Sequence, residues 1–156
     1  MRWITKSFTE LTTTELYQLL QLRAEVFVVE QTCYYQDLDG KDCHPGALHL
    51  LGYEDEQLVA YLRVLPEGVS YQGHLSIGRV VTHESIRGSG GGHRLLRRGV
   101  AECQAMAAHL PIKLSAQEHL QGYYGGQGFE TVSDVYLEDG INHVAMVRQP
   151  QPLAAV

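Results

Sequence analysis

Cysteine, positive charge and long apolar runs are all scarce in this chain of 156 residues. The three cysteines are an odd number and form no C-x-x-C pair, which disfavours a disulfide framework. Acidic residues outnumber basic ones by 18 to 12, so the net charge is −6 and no basic stripe is present. No apolar run approaches the roughly 20 residues of a membrane-spanning helix. We therefore expect neither a nucleic-acid partner nor a membrane partner.

The N-terminal segment also lacks the apolar core of a secretory signal. Together with the low cysteine count, this absence favours a reducing compartment, and we expect a cytoplasmic protein. The length fits one domain, which we place at residues 1–149, followed by a C-terminal tail at 150–156. The sequence leaves the oligomeric state open between a monomer and a homodimer.

Glycine, in contrast, is concentrated in one stretch, at positions 88, 90, 91 and 92. A β-prone run ends at Thr82 just before it, and a helical pattern runs from Leu95 to Leu110 just after it. Glycine allows the backbone to approach a ligand closely, and a helix N-terminus offers unpaired N–H groups. The arrangement predicts an anion site of the kind that binds phosphate. A flexible turn is the alternative, but four glycines exceed what a turn requires.

The glycine spacing distinguishes between kinds of phosphate site. A P-loop needs a lysine after the glycines, and none is present. A Rossmann fingerprint needs a third glycine where His93 stands. The pattern that fits is Arg-x-x-Gly-x-Gly, formed by Arg87, Gly90 and Gly92, and it resembles the acyl-CoA pyrophosphate loop of the GNAT-type N-acetyltransferases. Residues 121–129 resemble the family's Tyr-x-x-x-Gly-Phe motif, and segments 22–31, 35–42, 78–80 and 117–120 resemble its ElaA-like branch.

The resemblance implies a fold, a cosubstrate and an activity. The fold is an α/β (α+β) domain with a mixed, mostly antiparallel sheet flanked by helices, whose splayed central strands form an acyl-CoA cleft. The cosubstrate is acetyl-CoA, and the activity is direct transfer of its acetyl group to a primary amine. A non-catalytic acyl-CoA sensor with the same fold is the alternative, and a plain interaction domain is a third. The expected acetyl-CoA-binding residues are Val80, Val81, Thr82, Arg87, Gly88, Ser89, Gly90, Gly91, Gly92 and His93.

Catalysis of this kind needs a base, an oxyanion donor and an acid. An amine attacks only when neutral, so a base or a water chain must take its proton, and the candidate bases are Glu30, His119 and His49. By resemblance, the oxyanion donor is a backbone N–H of strand residues 80–82, and Tyr124 protonates the leaving thiolate. Packing alone is the alternative for Tyr124, and a helix cap or structural hydrogen bond is the alternative for His119.

A long polar loop spans residues 31–48, and loops of this length are often functional. Its aspartates, Asp37, Asp39 and Asp42, do not have calcium-loop spacing, and its cysteine and histidine residues do not have zinc-ligand spacing, so we expect no metal. Two interpretations remain open: a solvated loop, or a lid whose acids attract a cationic amine. The apolar run Val26 to Val29, just before the loop, is expected to be buried.

Periodicity and breaker residues predict the remaining elements. A first helix is expected to begin at a cap among Thr12, Thr13 and Thr14, with Glu15 in its first turn. The other expected helices cover 95–110 and 119–127. The expected strands cover 3–8, 49–54, 57–65, 74–82, 112–116, 129–137 and 143–147.

Overall fold

A single eight-stranded sheet organises the computed structural model, which describes residues 1–151. Its strands are β1 (Arg2–Ser7), β2 (Leu48–Glu54), β3 (Gln57–Leu65), β4 (Leu75–Thr82), β5 (Ile112–Gln117), β6 (Glu130–Thr131), β7 (Tyr136–Glu138) and β8 (Ile141–Arg148). The α-helices are α1 (Thr13–Arg23), α2 (Gly91–Ala107) and α3 (Gln121–Gly125). A π-helical segment, Ala24–Glu30, continues α1, and short 3₁₀ turns cover Phe8–Glu10, Lys41–Cys43, Glu84–Ile86 and Glu118–Leu120.

The strand order places an opening in the middle of the sheet. The order is β1-β2-β3-β4-β5-β8-β6, with β7 also paired to β8. Every pair is antiparallel except β4 and β5, which are parallel and are in register only at Leu75–Ile112 and Ser76–Lys113. Beyond these two pairs, the described parts of β4 and β5 diverge. The mixed, mostly antiparallel sheet and the splayed central strands are therefore confirmed.

Hydrophobic packing covers both faces of the sheet. Side chains alternate between the two faces of a strand, so the neighbours Tyr61 and Leu62 of β3 enter different clusters. Leu62 packs with Leu95 and Leu96 of α2, and Tyr61 packs with Leu19 of α1. Each of these five side chains is 0% exposed. The helices on the two faces thus hold β3, and β4 beside it, at the centre of the molecule.

Helix α1 begins as its sequence predicts. The Thr12 hydroxyl accepts the backbone N–H of Glu15, and the Glu15 carboxylate accepts the N–H of Thr12, forming a capping box. Its continuation is different, because residues 24–30 form a π-helix. The prediction that the run Val26 to Val29 is buried is wrong: Val26 is buried, but Val29 is 71% exposed. The wider π-helical turn does not keep four consecutive residues against the core.

Several other boundaries also differ from expectation, including the helix expected at 119–127, whose α-helical part is Gln121–Gly125. Helix α2 begins at Gly91 and ends at Ala107, because the apolar pattern marks its buried face and not its glycine first turn. The expected strand 129–137 is interrupted between Thr131 and Tyr136, where the Ser133 hydroxyl accepts the N–H of Ala145.

No helix in residues 1–151 is long and apolar enough to cross a membrane. The predicted tail at 150–156 falls mostly on 152–156, outside the described residues.

Candidate active site

The glycine-rich stretch connects β4 to α2 through the short turn Glu84–Ile86. Gly88 and Gly90 have φ values of 82° and 85°, a left-handed conformation that other residues rarely adopt, and Gly90 is the N-cap of α2. Gly91 is required by packing, since a Cβ there would lie 2.8 Å from Ile86 Cδ1. Within the described chain, the N–H groups of Gly90, Gly92 and His93 donate to no protein acceptor. The loop therefore presents free donors at the positive end of a 17-residue helix.

The other residues predicted to bind acetyl-CoA surround this loop. The hydroxyl of Ser89 donates to the carbonyl of Ile86 at 2.5 Å, which stabilises the turn internally. His93 is exposed, with its ring centroid 5.5 Å from that of Tyr123. Thr82 is half-buried at the end of β4, and the Val81 side chain packs into the cluster under α1. Only the backbone of Val81 is thus available to a ligand in the opening.

Arg87 and Glu30 form an exposed ion pair beside the loop. Arg87 Nη1 and Nη2 lie 3.0 and 2.7 Å from the two Glu30 carboxylate oxygens, and Nη2 also donates to the carbonyl of Thr82. This hydrogen-bonded pair lowers the pKa of Glu30. A carboxylate held in this way is a weaker base, so the geometry disfavours Glu30 as the proton acceptor. Arg87, the expected hydrogen-bond donor to the pyrophosphate, is paired with the Glu30 carboxylate instead.

Two adjacent tyrosines of α3 face the start of α2. The Tyr123 hydroxyl donates to the carbonyl of Gly92 at 2.5 Å, tying α3 to the glycine loop. The Tyr124 ring is 6% exposed and lies edge-on to the rings of Tyr123 and Phe129. Within residues 1–151, the enclosed side-chain polar atoms without a hydrogen bond are Nε of Arg63 and of Arg79. The Tyr124 hydroxyl also has no hydrogen-bond partner in the described residues, but its oxygen is not fully buried. It can therefore donate a hydrogen bond to a ligand.

Strand β4 contains a bulge where it leaves β5. The register with β3 shifts from Tyr61–Val81 to Arg63–Gly78, so Arg79 and Val80 together oppose one residue of β3. Arg79 has a φ of 53°, which is uncommon for a residue with a side chain. Such a bulge locally disrupts the hydrogen-bond ladder with β3. Val80 lines the cavity in the opening and also packs against the cluster that contains Tyr124.

The aspartates of the loop 31–48 form ion pairs. Its three aspartates bind three arginines, forming what we name the arginine–aspartate cluster: Arg23, Arg63, Arg79, Asp37, Asp39 and Asp42. Arg23 and Arg63 side chains are 0% and 4% exposed. Arg63 Nη1 and Nη2 donate to Asp39, and these hydrogen bonds lower its pKa to about 2 although burial opposes that shift. Three positive charges neutralise three negative ones, so the geometry disfavours a lid whose acids attract a cationic amine.

The candidate histidine bases lie away from the opening. His49 is 0% exposed, with Nδ1 2.7 Å from the Tyr61 hydroxyl and Nε2 3.0 Å from the carbonyl of Asp42. Burial lowers the pKa of His49, and both of its nitrogens are occupied. His119 is exposed in the turn before α3 and does not line the cavity between the splayed strands. None of Glu30, His49 and His119 therefore lines the cavity between the splayed strands.

A polar cavity of about 120 Å³ occupies the opening between β4 and β5. Val80 and Ser115 represent the two splayed strands in its wall. Arg79 of β4 and Gln117 of β5 also line it. The remaining lining residues come from the π-helix, the loop after it, and the β7–β8 hairpin: Phe27, Gln31, Cys33, Tyr35, Glu138, Asp139, Ile141 and His143. Burial raises the pKa of Tyr35 and of Cys33, so both stay neutral at neutral pH. No cluster of three or more potential metal ligands occurs in the described chain.

Sequence reasoning missed the hairpin side of this cavity. Glu138, Asp139 and Gly140 read only as a turn, and His143 only as a strand residue. Their approach to Ser115 follows from the pairing of β8 with β5, which local patterns do not show. The one available signal was that Asp139-Gly140 is a favoured hairpin turn, which brings β7 against β8.

Comparison with known proteins identifies the family. The family model for an acetyltransferase (GNAT) domain matches residues 13–149. Protein ElaA of Escherichia coli strain K12 is 42% identical over 149 residues, covering 96% of this chain and 97% of ElaA. The crystal structure of E. coli ElaA matches with a TM-score of 0.89 over 95% of this chain and 99% of that chain.

Two further solved structures show how widely the fold is shared. An acyl-CoA N-acyltransferase from Pseudomonas aeruginosa is 49% identical, with a TM-score of 0.89 over 94% of this chain and 98% of that one. An aminoglycoside 6'-N-acetyltransferase complexed with coenzyme A is 16% identical, with a TM-score of 0.71 over 97% and 99%, and it shares the fold alone. On these matches and on its splayed sheet, the chain belongs to the ElaA-like branch of the GNAT acetyltransferase family.

Proposed function

We propose that this protein transfers the acetyl group of acetyl-CoA directly to a primary amine. The observation that carries the proposal is the opening between β4 and β5. A glycine-rich helix N-terminus with free N–H donors follows β4, and a polar cavity occupies the opening itself. An anionic cosubstrate and a polar acceptor can therefore meet at the bulge on β4.

The pyrophosphate of acetyl-CoA would bind to the free N–H groups of the loop, those of Gly90, Gly92 and His93. A helix N-terminus favours an anion through its unpaired donors and its dipole. Arg87 would add a charge-assisted hydrogen bond, once its guanidinium exchanges Glu30 for a phosphate oxygen. Coenzyme A is present in the complex of the distant aminoglycoside acetyltransferase with the same fold, which supports this assignment.

Two groups would stabilise the charges that develop during transfer. A backbone N–H of the bulge at Arg79 and Val80 would donate to the oxyanion of the tetrahedral intermediate. The Tyr124 hydroxyl would protonate the departing thiolate of coenzyme A. Burial raises the pKa of Tyr124, so the phenol is protonated at neutral pH and can act as an acid.

The glycine loop offers a matched pair of variants to test cosubstrate binding. We expect Gly90→Val to abolish measurable binding of CoA in calorimetry, because its β-branched side chain would obstruct the phosphate. Gly68→Val is the control, since Gly68 also has a left-handed φ of 83° and open space around it, but lies in another loop. Both variants carry similar backbone strain, so equal CoA affinity in the two would place the site elsewhere.

Turnover is tested by thiol release from acetyl-CoA against a panel of amines. The proposal expects release that depends on the amine and an N-acetylated product in mass spectrometry. Binding of CoA without release for any amine would instead indicate the alternative, an acyl-CoA sensor. Absence of CoA binding would refute both functions.

A further inference from the structure

The wall of the cavity holds a histidine and a glutamate whose positions resemble an acid–base pair. His143 is 8% exposed on β8, and its Nδ1 lies 2.8 Å from the carbonyl oxygen of Ile141. A carbonyl only accepts hydrogen bonds, so Nδ1 carries the proton in this contact. In the neutral imidazole, the lone pair is then on Nε2. This nitrogen lies 3.3 Å from Oε2 of Glu138.

The contact between Nε2 and Glu138 needs a hydrogen. A neutral imidazole nitrogen and a carboxylate oxygen both present lone pairs, so they are compatible only when a proton or a hydrogen-bearing group joins them. An amino group has hydrogens for the carboxylate and a proton to give to Nε2. The pair is therefore suited to an amine that enters the cavity.

Neighbouring side chains hold both members in place. The Ser115 hydroxyl donates to Oε1 of Glu138 at 3.1 Å and also contacts the Tyr136 hydroxyl. The Tyr136 ring stacks on the imidazole at an interplanar angle of 24°, with the ring centroids 6.3 Å apart. Ser115 lies on β5, at the edge of the opening where the acetyl group would be transferred.

We propose that Glu138 binds the amino group of the acceptor and that His143 Nε2 is the base that removes its proton. This inference rests on the proposed acetyl transfer and supplies the base that Glu30, His119 and His49 do not. It also defines the acceptor class. The acceptor is a primary amine that is either small or has a narrow amino end, so that the amino group can enter a cavity of about 120 Å³.

The step balances without a further reagent. The neutral amine nitrogen attacks the thioester carbon, a C–N bond forms, and the carbonyl electron pair moves to oxygen. His143 Nε2 then takes one proton from the ammonium nitrogen of the intermediate. The oxygen electron pair returns, the C–S bond breaks, and the thiolate takes the Tyr124 proton. Solvent carries the proton from His143 back to Tyr124, leaving the amide and the free thiol.

Other ionisable groups face His143 and enter any pH dependence. Glu138 and Tyr136 face it from β7, and Asp139 faces the same cavity from the turn. From outside the hairpin, the ionisable side chains that line the cavity are Arg79 on β4, and Cys33 and Tyr35 in the loop after the π-helix. Of these, Glu138 lies within 3.3 Å of the imidazole, so its charge acts on it most directly.

The test is the pH profile of thiol release with an amine that supports turnover. We expect His143→Gln to lower kcat by roughly 10²- to 10⁴-fold and to remove the part of the rise with pH that belongs to the imidazole. Deprotonation of the amine itself raises the rate with pH equally in the wild type and in His143→Gln. The difference between the two pH profiles therefore reports the contribution of His143. The affinity for CoA in calorimetry should stay unchanged. His109→Gln is the control, because His109 is exposed at the far end of α2.

A second variant tests the proposal in case His143→Gln does not fold. Glu138 is 46% exposed in its side chain, so Glu138→Gln is expected to fold, and it should raise KM for the amine about tenfold or more. The proposal would be overturned if His143→Gln had the same kcat and pH profile as the wild type. It would also be overturned if Glu138→Gln had an unchanged KM for the amine. Should the wild type bind CoA but acetylate no amine, the proposed function itself fails, which is a different result.

Discussion

Replacing Asp42 by asparagine should destabilise the protein far more than its change of one atom suggests. The Asp42 carboxylate accepts from Arg23 Nη1 at 2.7 Å and from Arg63 Nη1 at 3.0 Å. All three side chains are at least nine-tenths buried, so water does not replace the missing charge. Asparagine keeps the shape but leaves two guanidiniums with less negative charge than they need.

The magnitude follows from the cost of an uncompensated buried charge. Breaking a buried ion pair by removing one partner costs about 3–5 kcal/mol. Arg23 keeps Asp37 and Arg63 keeps Asp39, so we expect the lower end, about 3 kcal/mol. For a domain of this size, that corresponds to a fall in Tm of roughly 6–12 °C.

Urea denaturation measures the free energy of unfolding, and Asp134→Asn provides the control. Asp134 is exposed and its side chain forms no ion pair in the described chain, so its change should stay within about 0.5 kcal/mol. A loss below about 1 kcal/mol for Asp42→Asn would refute the electrostatic argument.

Acid provides an independent check of the same cluster. The folded pKa of Asp39 is about 2, and that of Asp42 is also lowered. Both are thus below the unfolded value near 3.9. A lowered folded pKa contributes stability above the unfolded pKa, and that stability is lost as pH falls through the folded one. The wild type should therefore lose stability between about pH 4 and pH 2. Asp42→Asn should lose less over that window, since one of the titrating groups is gone.

Two further predictions concern the cosubstrate side. Tyr124→Phe should lower kcat by roughly 10²- to 10⁴-fold with little change in CoA affinity, whereas Tyr123→Phe should chiefly weaken CoA binding, because its hydroxyl anchors the glycine loop. Stopped-flow thiol release and calorimetry separate the two, and equal activity in both variants would make Tyr124 a packing residue. Arg87→Ala should raise KM for acetyl-CoA more than it lowers kcat, whereas Glu30→Gln should lower the Kd for CoA by up to about fivefold by freeing Arg87. An unchanged Kd in Glu30→Gln would show that Arg87 does not bind the phosphates.

Local sequence signals were sufficient to predict the glycine-rich turn before α2 and the cap of α1. The turn residues Gly88 and Gly90 have the positive φ values that glycine permits, and the capping box at Thr12 forms as its spacing predicts. These features are short-range, because each depends on residues within a few positions of one another. The sheet opening followed from the family resemblance, since periodicity does not give strand order.

The hairpin side of the cavity depends on contacts between residues distant in the chain. Gln117 and His143 are cross-strand partners 26 positions apart, and Ser115 meets Glu138 only because β7 and β5 both flank β8. No local pattern marks such residues as members of one cavity. The sequence points to candidate bases by their position along the chain, near recognised motifs. It does not show which titratable residues lie close together in the folded protein.

The aspartates of the loop 31–48 illustrate the same limit with a different consequence. Polar composition suggested solvent, but their partners Arg23, Arg63 and Arg79 come from α1, β3 and β4. Arg79 is also the bulge residue with a φ of 53°, and its guanidinium is held by Asp37 and Asp39. An uncommon backbone conformation of this kind persists only where surrounding contacts determine it. The loop 31–48 therefore holds the bulge of β4 in place through the ion pairs of Asp37 and Asp39 with Arg79.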